Sequence, residues 1–302
     1  MSNFGYWPAR LLLPFMSFFL WIFPKSSIVE MPHNSHTSNS EPPVINIWYG
    51  DHQVFGHLGI PQTWVNILGN AYDPDGIESL TYSLNHGPER HLSMGVDERR
   101  LASPGDFNID VLYEDLAPGL NFVTITVYDT YNNKAVKEVT IENFPGNQWE
   151  LPYEIDWKSV NKIQEVAQIV DGNWTLSPEG IRPTEIGYDR LVAIGDMAWS
   201  DYEVTLPITV HKAEPVFNYP SHGALVGVLL RWQGHRDWGD GQPFDGWWPL
   251  GALAHIQWVS NSQIRLHLAG NKALSLKDTD TRLRSGETYI FKIRAESIPG
   301  KM

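Results

Sequence analysis

The sequence contains no cysteine, which excludes disulfides, thiolate metal sites and cysteine nucleophiles. Positive charge is also scarce, because 22 Lys and Arg residues stand against 35 Asp and Glu residues and leave a net charge of -13. A chain this acidic repels nucleic-acid phosphates, and no cluster of Lys and Arg reverses the repulsion locally. We therefore expect no nucleic-acid partner. Common catalytic patterns are missing too, among them G-x-S-x-G, H-E-x-x-H and the P-loop.

Aromatic residues are abundant, with 13 Trp, 12 Tyr and 12 Phe in 302 residues. The hydrophobic fraction of 42% is large enough for real cores, so the composition is not that of a disordered chain. A chain of this length usually folds as more than one domain. We therefore expect two domains.

An apolar run at residues 11–23 follows Arg10 and precedes Lys25. The run contains Pro14 and is shorter than the about 20 apolar residues that a membrane span needs, so it suits a secretory signal peptide. The cleavage site is poor, which leaves a retained membrane anchor as the alternative for residues 1–27. Residues 28–42 are polar and predict a linker. Both alternatives predict a secreted or cell-envelope protein, with membrane contact through the N-terminal segment only.

Residues 43–143 contain short strand-like runs separated by turn signals, which is typical of a β-sandwich. The L-A-P-G sequence at residues 116–119 resembles the L-x-P-G corner of fibronectin type III and related immunoglobulin-like domains. The D-P-D-G turn at residues 73–76, followed by an S-L-T-Y strand, is similar to bacterial extracellular immunoglobulin-like and cadherin-like modules. The resemblance implies an immunoglobulin-like fold in a bacterial protein. The predicted strands are residues 44–48, 64–72, 79–84, 92–96, 107–112, 122–128 and 135–141.

In such a sandwich the loops after the second and sixth strands lie at the same end. Asp73 and Asp75 would then approach Asp129. Clustered carboxylates suit the hard cation Ca2+, so calcium at these three residues is a hypothesis that the sequence raises. The alternative is that the Asp side chains only stabilise their own turns.

Residues 147–302 predict a second sandwich. Residues 201–211 alternate apolar and polar side chains, which indicates a half-buried strand with an open edge or a bulge at Pro207. Residues 288–296 alternate similarly, whereas residues 225–232 are apolar on both faces and predict a central strand. The order of these segments resembles concanavalin A-like and laminin G-like jelly-roll sandwiches. Because such domains usually continue further, we expect this one to be incomplete at its C-terminus, in a chain that is all-β.

A Trp-rich segment after this central strand is the candidate ligand site. Loops of this composition on a sandwich rim form an aromatic floor with hydrogen-bonding walls. The resemblance implies glycan binding, and sugar rings present apolar C–H faces that suit aromatic side chains. The alternative is that the Trp side chains pack into a small core. The candidate residues are Arg231, Trp232, His235, Trp238, Trp247 and Trp248.

Three functions remain open. The leading one is a non-catalytic carbohydrate-binding or adhesion protein, in which the first sandwich is a spacer and the second binds a polysaccharide. The second is a glycan-active enzyme, either a glycoside hydrolase or a polysaccharide lyase. Glu154 and Asp156 would share a strand face but lack a third acidic partner, and Arg265 and His267 would share another. The third is a purely structural surface protein.

Overall fold

The computed structural model describes residues 41–185, 189–212, 225–239, 241–260, 263–270, 274–279 and 283–297. The predicted signal peptide or anchor, and the linker up to residue 40, lie outside this part of the chain. Residues 39–302 form one compact unit. The described residues are almost entirely strands and loops, which confirms the all-β prediction. No helix among them is both long and apolar enough to cross a membrane.

The first part of the unit is a sandwich of two sheets. The smaller sheet has the order β1 (Val44–Ile47), β3 (Trp64–Tyr72) and β6 (Asp106–Leu112), all antiparallel. The larger sheet has the order β2 (His52–Phe55), β8 (Lys134–Asn143), β7 (Gly119–Asp129), β4 (Ile77–Leu84) and β5 (Arg90–His91). Only β2 runs parallel to its neighbour, β8, and the other pairs in this sheet are antiparallel.

The core of this sandwich lies between the two sheets, because alternate side chains of each strand point inward. Full burial of each such side chain contributes roughly 1.5–3 kcal/mol. Gly69 on β3 leaves room for groups from both neighbouring strands, since a Cβ there would lie 2.3 Å from the Asn46 carbonyl oxygen of β1 and 2.5 Å from the Phe107 ring of β6. The fully buried members of the core include Val65, Ile67, Leu80, Phe107, Ile109, Val123, Ile125, Val127, Val139 and Ile141.

The L-A-P-G corner is held by two buried Asn side chains, with Asn143 Nδ2 3.4 Å from the Leu116 and Ala117 carbonyls and Asn121 making the shorter bonds. Asn121 donates from Nδ2 to the Ala117 carbonyl at 2.8 Å and to the Gly119 carbonyl at 3.1 Å. Its Oδ1 accepts from the Ala117 N–H at 2.9 Å. Gly119 has φ +84°, a conformation that favours glycine. The corner therefore fixes where β7 begins.

Six of the seven strands predicted for this sandwich are present within a few residues of their expected bounds. The prediction for residues 92–96 is wrong, because the corresponding strand β5 ends at His91 and residues 92–96 continue as a loop. Strand β2 was not predicted, since its four residues carry too little alternation to stand out.

The second part of the unit contains four sheets among the described residues. Strand β9 (Gln168–Asp171) pairs with β12 (Leu191–Ala193), and β10 (Trp174–Ser177) pairs with β11 (Gly180–Pro183). Strand β13 (Tyr202–Thr209) pairs with β18 (Thr288–Ala295). The largest sheet has the order β14 (Leu225–Leu230), β15 (Ala252–Ser260), β16 (Gln263–Gly270) and β17 (Leu274–Thr279). Short 3-10 helices occupy Trp157–Ser159 and Ile163–Glu165 in this part, and Tyr113–Asp115 between β6 and β7 of the first sandwich. The jelly-roll arrangement stays a prediction.

Two strand predictions for this part have different outcomes. Along β13 and β18 half-buried apolar side chains alternate with exposed positions, and the exposed positions include Leu206 and Ile290 as well as polar residues. Pro207 lies on a strand whose described partner is β18 alone. The open edge at Pro207 stays a prediction, and the pairing of β13 with β18 has no bulge there. Strand β14, in contrast, lies at the edge of the described four-stranded sheet rather than at its centre. A short apolar run favours a buried segment but does not predict how many strands pair with it.

The segment after the first sandwich packs against β3. Gln168 on β9 donates to the Trp64 carbonyl at 2.7 Å and accepts from the Tyr113 hydroxyl at 3.1 Å. Further along the chain, the Gln233 carbonyl accepts from the Thr63 N–H at 2.9 Å. The two parts of the unit are thus joined by hydrogen bonds between residues far apart in sequence.

Candidate functional site

A buried ion network lies where these two parts meet. Arg100, from the loop between β5 and β6, has a side chain with no exposed surface. Its Nη1 and Nη2 donate to the two carboxylate oxygens of Asp110 at 2.8 and 3.1 Å, and its Nε donates to Asp171 at 2.5 Å. The other carboxylate oxygen of Asp171 lies 2.9 Å from His235 Nε2. One guanidinium therefore ties β6 of the first sandwich to β9 and to the Trp-rich segment.

The charges in this network stabilise one another. Burial acts to raise the pKa of Asp171, but the Arg100 charge and the contact with His235 outweigh it and hold the pKa below its ordinary value. Burial likewise acts to lower the pKa of Arg100, and the charges of Asp110 and Asp171 raise it instead. Asp171 is therefore an anion that acidification to ordinary assay pH does not neutralise.

The described residues of the Trp-rich segment, 231–239 and 241–248, form a loop that we call the tryptophan loop. Its two limbs are joined by backbone hydrogen bonds between Arg236 and Gly246, at 2.8 and 3.1 Å. The rings of Trp232, His235 and Trp247 pack together at its base, with His235 4.6 Å from Trp247 and 5.0 Å from Trp232 between ring centroids. Trp232 and His235 are buried. Half of the predicted ligand site is therefore an aromatic core, as the alternative interpretation proposed.

Two other Trp residues of the loop are exposed. Trp238 keeps 51% of its surface accessible and Trp248 keeps 46%. The guanidinium carbon of Arg236 lies 4.8 Å from the Trp238 ring centroid, and Trp238 packs directly over Gly246, where any Cβ would collide with the indole nitrogen. Ring and cation are thus held on the loop surface while the base of the loop is buried.

Arg231 turns away from this surface. It adopts φ +55° and directs its guanidinium to the Ser200 carbonyl and to Ser297 Oγ, with Asp201 at 3.3 Å. These partners belong to the turn before β13 and the segment after β18. The structure therefore separates Arg231 from the tryptophan pair with which the sequence grouped it.

Asp189 is a neighbour of the loop that the sequence analysis missed. The Asp189 backbone N–H donates to the Arg99 carbonyl at 2.7 Å, and the Trp247 side chain acts to lower the pKa of the Asp189 carboxyl. Burial and the nearby Asp171 charge raise its pKa to about 7. No pattern around residue 189 signals this role, because the groups that shift its pKa, among them Asp171 and Arg100, lie on other segments of the chain.

The three residues of the calcium hypothesis do lie in neighbouring turns. The Thr130 hydroxyl donates to the Asp75 carbonyl at 3.0 Å and its N–H donates to the Gly76 carbonyl, so the loops after β3 and β7 meet as expected. Asp73 accepts from the Asp75 N–H at 2.8 Å, which is turn chemistry. Within the described residues no three His, Asp or Glu side chains are grouped closely enough to hold a metal. Calcium binding stays a prediction.

Asp129 uses its carboxylate in its own turn. Its Oδ1 accepts from the Tyr131 and Asn133 N–H groups at 2.9 and 2.7 Å. Burial acts to raise its pKa, but the hydrogen bonds from Asn133 and Tyr131 lower it overall. The carboxylate is therefore satisfied as an anion by the protein itself.

The two residue pairs considered for the enzyme hypotheses do not form an evident catalytic arrangement in the described structure. The expectation that Glu154 and Asp156 share a strand face is wrong, because both lie in an irregular segment and Asp156 accepts from the Lys158 N–H before a 3-10 helix. His267 does lie on the same strand as Arg265, but its Nδ1 contacts His255 Nε2 at 2.9 Å. Burial and the neighbouring His267 lower the pKa of His255 to about 4.

No protein-family model matches the sequence, and no curated protein is significantly similar to it. Three solved structures are similar in part. An endo-β-1,4-mannanase from Thermotoga petrophila is 8% identical with a TM-score of 0.27, over 36% of this chain and 21% of the mannanase. The CbhA fibronectin(III)-like modules of Clostridium thermocellum are 13% identical with a TM-score of 0.24, over 38% of this chain and 51% of that one. SGBP-B of the Bacteroides ovatus mixed-linkage glucan utilization locus, in complex with a mixed-linkage heptasaccharide, is 11% identical with a TM-score of 0.22, over 82% and 70%.

The chain therefore spans about a fifth of the mannanase and about half of the fibronectin-like modules. At these TM-scores none of the similarities carries a conclusion about function.

Proposed function

We propose that the protein is a secreted or cell-envelope bacterial protein that binds carbohydrate through Trp238 and Trp248 of the tryptophan loop and does not transform it. The observation that supports this most is the exposure of two large rings, 51% and 46%, on a loop whose base is buried. Exposed apolar surface concentrated on one loop is a feature that binding sites share. Because the loop is already ordered, binding does not have to order it, and less conformational entropy is lost when the ligand binds.

The chemistry of the loop suits sugars. Trp faces pack against the C–H faces of pyranose rings, and the Arg236 guanidinium over Trp238 offers donors for hydroxyl groups. The acidic net charge of -13 disfavours strongly anionic polysaccharides as ligands, so neutral glycans are the first to test.

A glycan array probed with the full chain tests this proposal. Trp238→Ala and Trp248→Ala together should weaken binding at least about tenfold, which corresponds to about 1.4 kcal/mol of lost contact. Tyr72→Ala is the matched control, because Tyr72 is 60% exposed but lies on the first sandwich. Equal binding by the double variant and the control would contradict the proposal. Repeating the array with EDTA, and measuring the melting temperature with and without EDTA, tests calcium binding. Loss of glycan binding or a lower melting temperature in EDTA would support the Asp73, Asp75 and Asp129 site.

A glycan-active enzyme is the second candidate, and Asp189 favours it. An acidic side chain with a pKa near 7, beside an anionic Asp171, is a pattern used by general acids in glycoside hydrolysis. Release of new reducing ends from a bound polysaccharide, abolished by Asp189→Asn, would replace the non-catalytic proposal with this one.

A further inference from the structure

The tryptophan loop covers one edge of strand β6. Among the described strands β6 pairs with β3 alone, so the backbone groups along its other edge need partners from elsewhere. Gln242 supplies them for Asp110, because its Oε1 accepts from the Asp110 N–H at 2.9 Å and its Nε2 donates to the Asp110 carbonyl at 2.9 Å. One side-chain amide therefore exchanges two hydrogen bonds with a strand residue, as a residue of a neighbouring antiparallel strand would.

Gln242 also reaches the other sheet of the first sandwich. Its Nε2 donates to the Tyr82 hydroxyl on β4 at 2.7 Å, and its backbone carbonyl accepts from the Ser93 N–H at 3.0 Å. Gln242 is buried, with 8% of its surface exposed, and Tyr82 is part of the sandwich core. A residue of the tryptophan loop is thus built into the interior of the first sandwich and contacts both of its sheets.

The attachment continues towards the exposed rings. The Phe244 N–H donates to Asp110 Oδ2 at 2.8 Å, and the Phe244 carbonyl accepts from Arg100 Nη1 at 2.5 Å. Two residues further along the chain is Gly246, the residue on which the Trp238 indole packs. The segment beneath the Trp238 ring is therefore fastened to β6 and to the loop before it.

The other limb of the tryptophan loop is fastened to the same sandwich. The Gln233 carbonyl accepts from the Thr63 N–H at 2.9 Å, and the His235 carbonyl accepts from Trp64 Nε1 at 2.6 Å. Both donors lie at the start of β3, next to β6 in the smaller sheet. The first sandwich thus holds the loop that carries the exposed rings from both sides.

We propose that Gln242 is a positioning residue of the carbohydrate site and that the first sandwich is the scaffold of that site rather than a spacer. This inference rests on the proposed carbohydrate-binding function and assigns the structure that keeps Trp238 and Trp248 in place. Gln242 acts through the loop and does not touch the sugar. Without its amide the loop exchanges between an attached and a detached form, and only the attached form presents the rings. If the loop is detached nine-tenths of the time, affinity falls about tenfold.

The test compares Gln242→Ala with Asn121→Ala in the full chain. Asn121→Ala is the matched control, because it also removes the hydrogen bonds of one buried side-chain amide of the first sandwich, but at the β7 corner. Hydrogen exchange followed by mass spectrometry should show peptides within residues 241–248 exchanging at least about tenfold faster in Gln242→Ala and at the wild-type rate in Asn121→Ala. Gln242→Met, which keeps the side-chain length without the amide, takes the place of Gln242→Ala if that variant does not fold.

The second measurement is affinity by calorimetry for cellohexaose, mannohexaose and xylohexaose. For any probe that the wild type binds, we expect a loss of about tenfold or more in the Gln242 variant and a change within about twofold in Asn121→Ala. A loss of affinity that accompanies any destabilisation of the sandwich would affect both variants, so the difference between them isolates the positioning role.

The outcomes separate this inference from the proposed function. A Gln242 variant with wild-type affinity, equal losses in the two variants, or unchanged exchange within residues 241–248 would each overturn the inference. The proposed function would stand in these cases if Trp238→Ala and Trp248→Ala together still abolish wild-type binding. No binding of any probe by the wild type, or undiminished binding by that double variant, would overturn both.

Discussion

Replacing Arg100 with Met should destabilise the protein severely, because it leaves buried carboxylates without their counter-ion. Met has similar length and no charge, so the change removes the ion pairs while filling most of the space. Asp110 and Asp171, whose side chains are 1% and 0% exposed, would lose three hydrogen bonds from a guanidinium. Breaking a buried ion pair by removing one partner costs about 3–5 kcal/mol.

The pH dependence gives the sharper test. In the wild type the pKa of Asp171 is below its unfolded value, so its stabilising contribution is present above about pH 4 and is lost as pH falls further. Without Arg100, burial dominates and raises the pKa of Asp171 above the unfolded value. The variant should then become more stable as pH falls from 7.5 towards 4.5, because its native state binds the extra proton. The difference in stability between the two proteins should therefore shrink on acidification.

Urea unfolding followed by Trp fluorescence at pH 7.5 and 4.5 measures both effects. Arg99→Met is the control, since Arg99 is the adjacent residue, is 53% exposed and pairs with the partly exposed Asp245. A surface pair contributes about 0–1 kcal/mol. The reasoning would be refuted if Arg100→Met cost no more than Arg99→Met, or if its cost were the same at both pH values.

Three further changes have defined outcomes. Asp189→Asn should stabilise the protein by about 2–4 kcal/mol at pH 8.5 and by little at pH 4.5. The reason is that a pKa raised to about 7 makes the folded wild type lose stability as pH rises towards that value, and Asn does not ionise. A constant difference in urea midpoint would contradict this. Asn121→Ala removes three part-buried hydrogen bonds within the β7 corner and a fourth to Asn85, and should cost about 2–4 kcal/mol in the same assay, whereas a cost below about 1 kcal/mol would mean that the corner is held by other contacts. Tyr113→Phe removes the hydroxyl bond to Gln168 and should cost about 1 kcal/mol, and an unchanged melting temperature would count against that bond.

The first sandwich was predictable because its strands are long, alternate regularly and end in recognisable turns. Strand β3 was placed at its observed bounds, residues 64–72, from β-branched and aromatic residues followed by D-P-D-G. Strand β2 was not, because a four-residue edge strand is determined by its parallel pairing with β8 rather than by its own pattern. Pairing between distant segments leaves no local trace in a sequence.

The candidate site was predictable only in composition. The concentration of Trp in residues 231–248 pointed to an aromatic loop, and Trp238 and Trp248 are exposed as a ligand surface requires. The sequence could not separate them from the buried Trp232, because neighbouring positions in an irregular loop have no period that assigns faces. Asp189 was beyond reach for a different reason: its raised pKa comes from Asp171 and from burial, which only the folded chain brings together.

The ion network has a consequence for how such a chain can be rearranged in evolution. Arg100 draws one counter-ion from β6 and the other from β9, so the first part alone would keep Arg100 paired with Asp110, whereas the second part alone would hold Asp171 without its guanidinium. A gene fusion that moved residues 147–302 to another protein would carry Asp171 and His235 without their guanidinium. We expect the two parts to be inherited and exchanged together, unlike sandwich modules that are joined only by a linker.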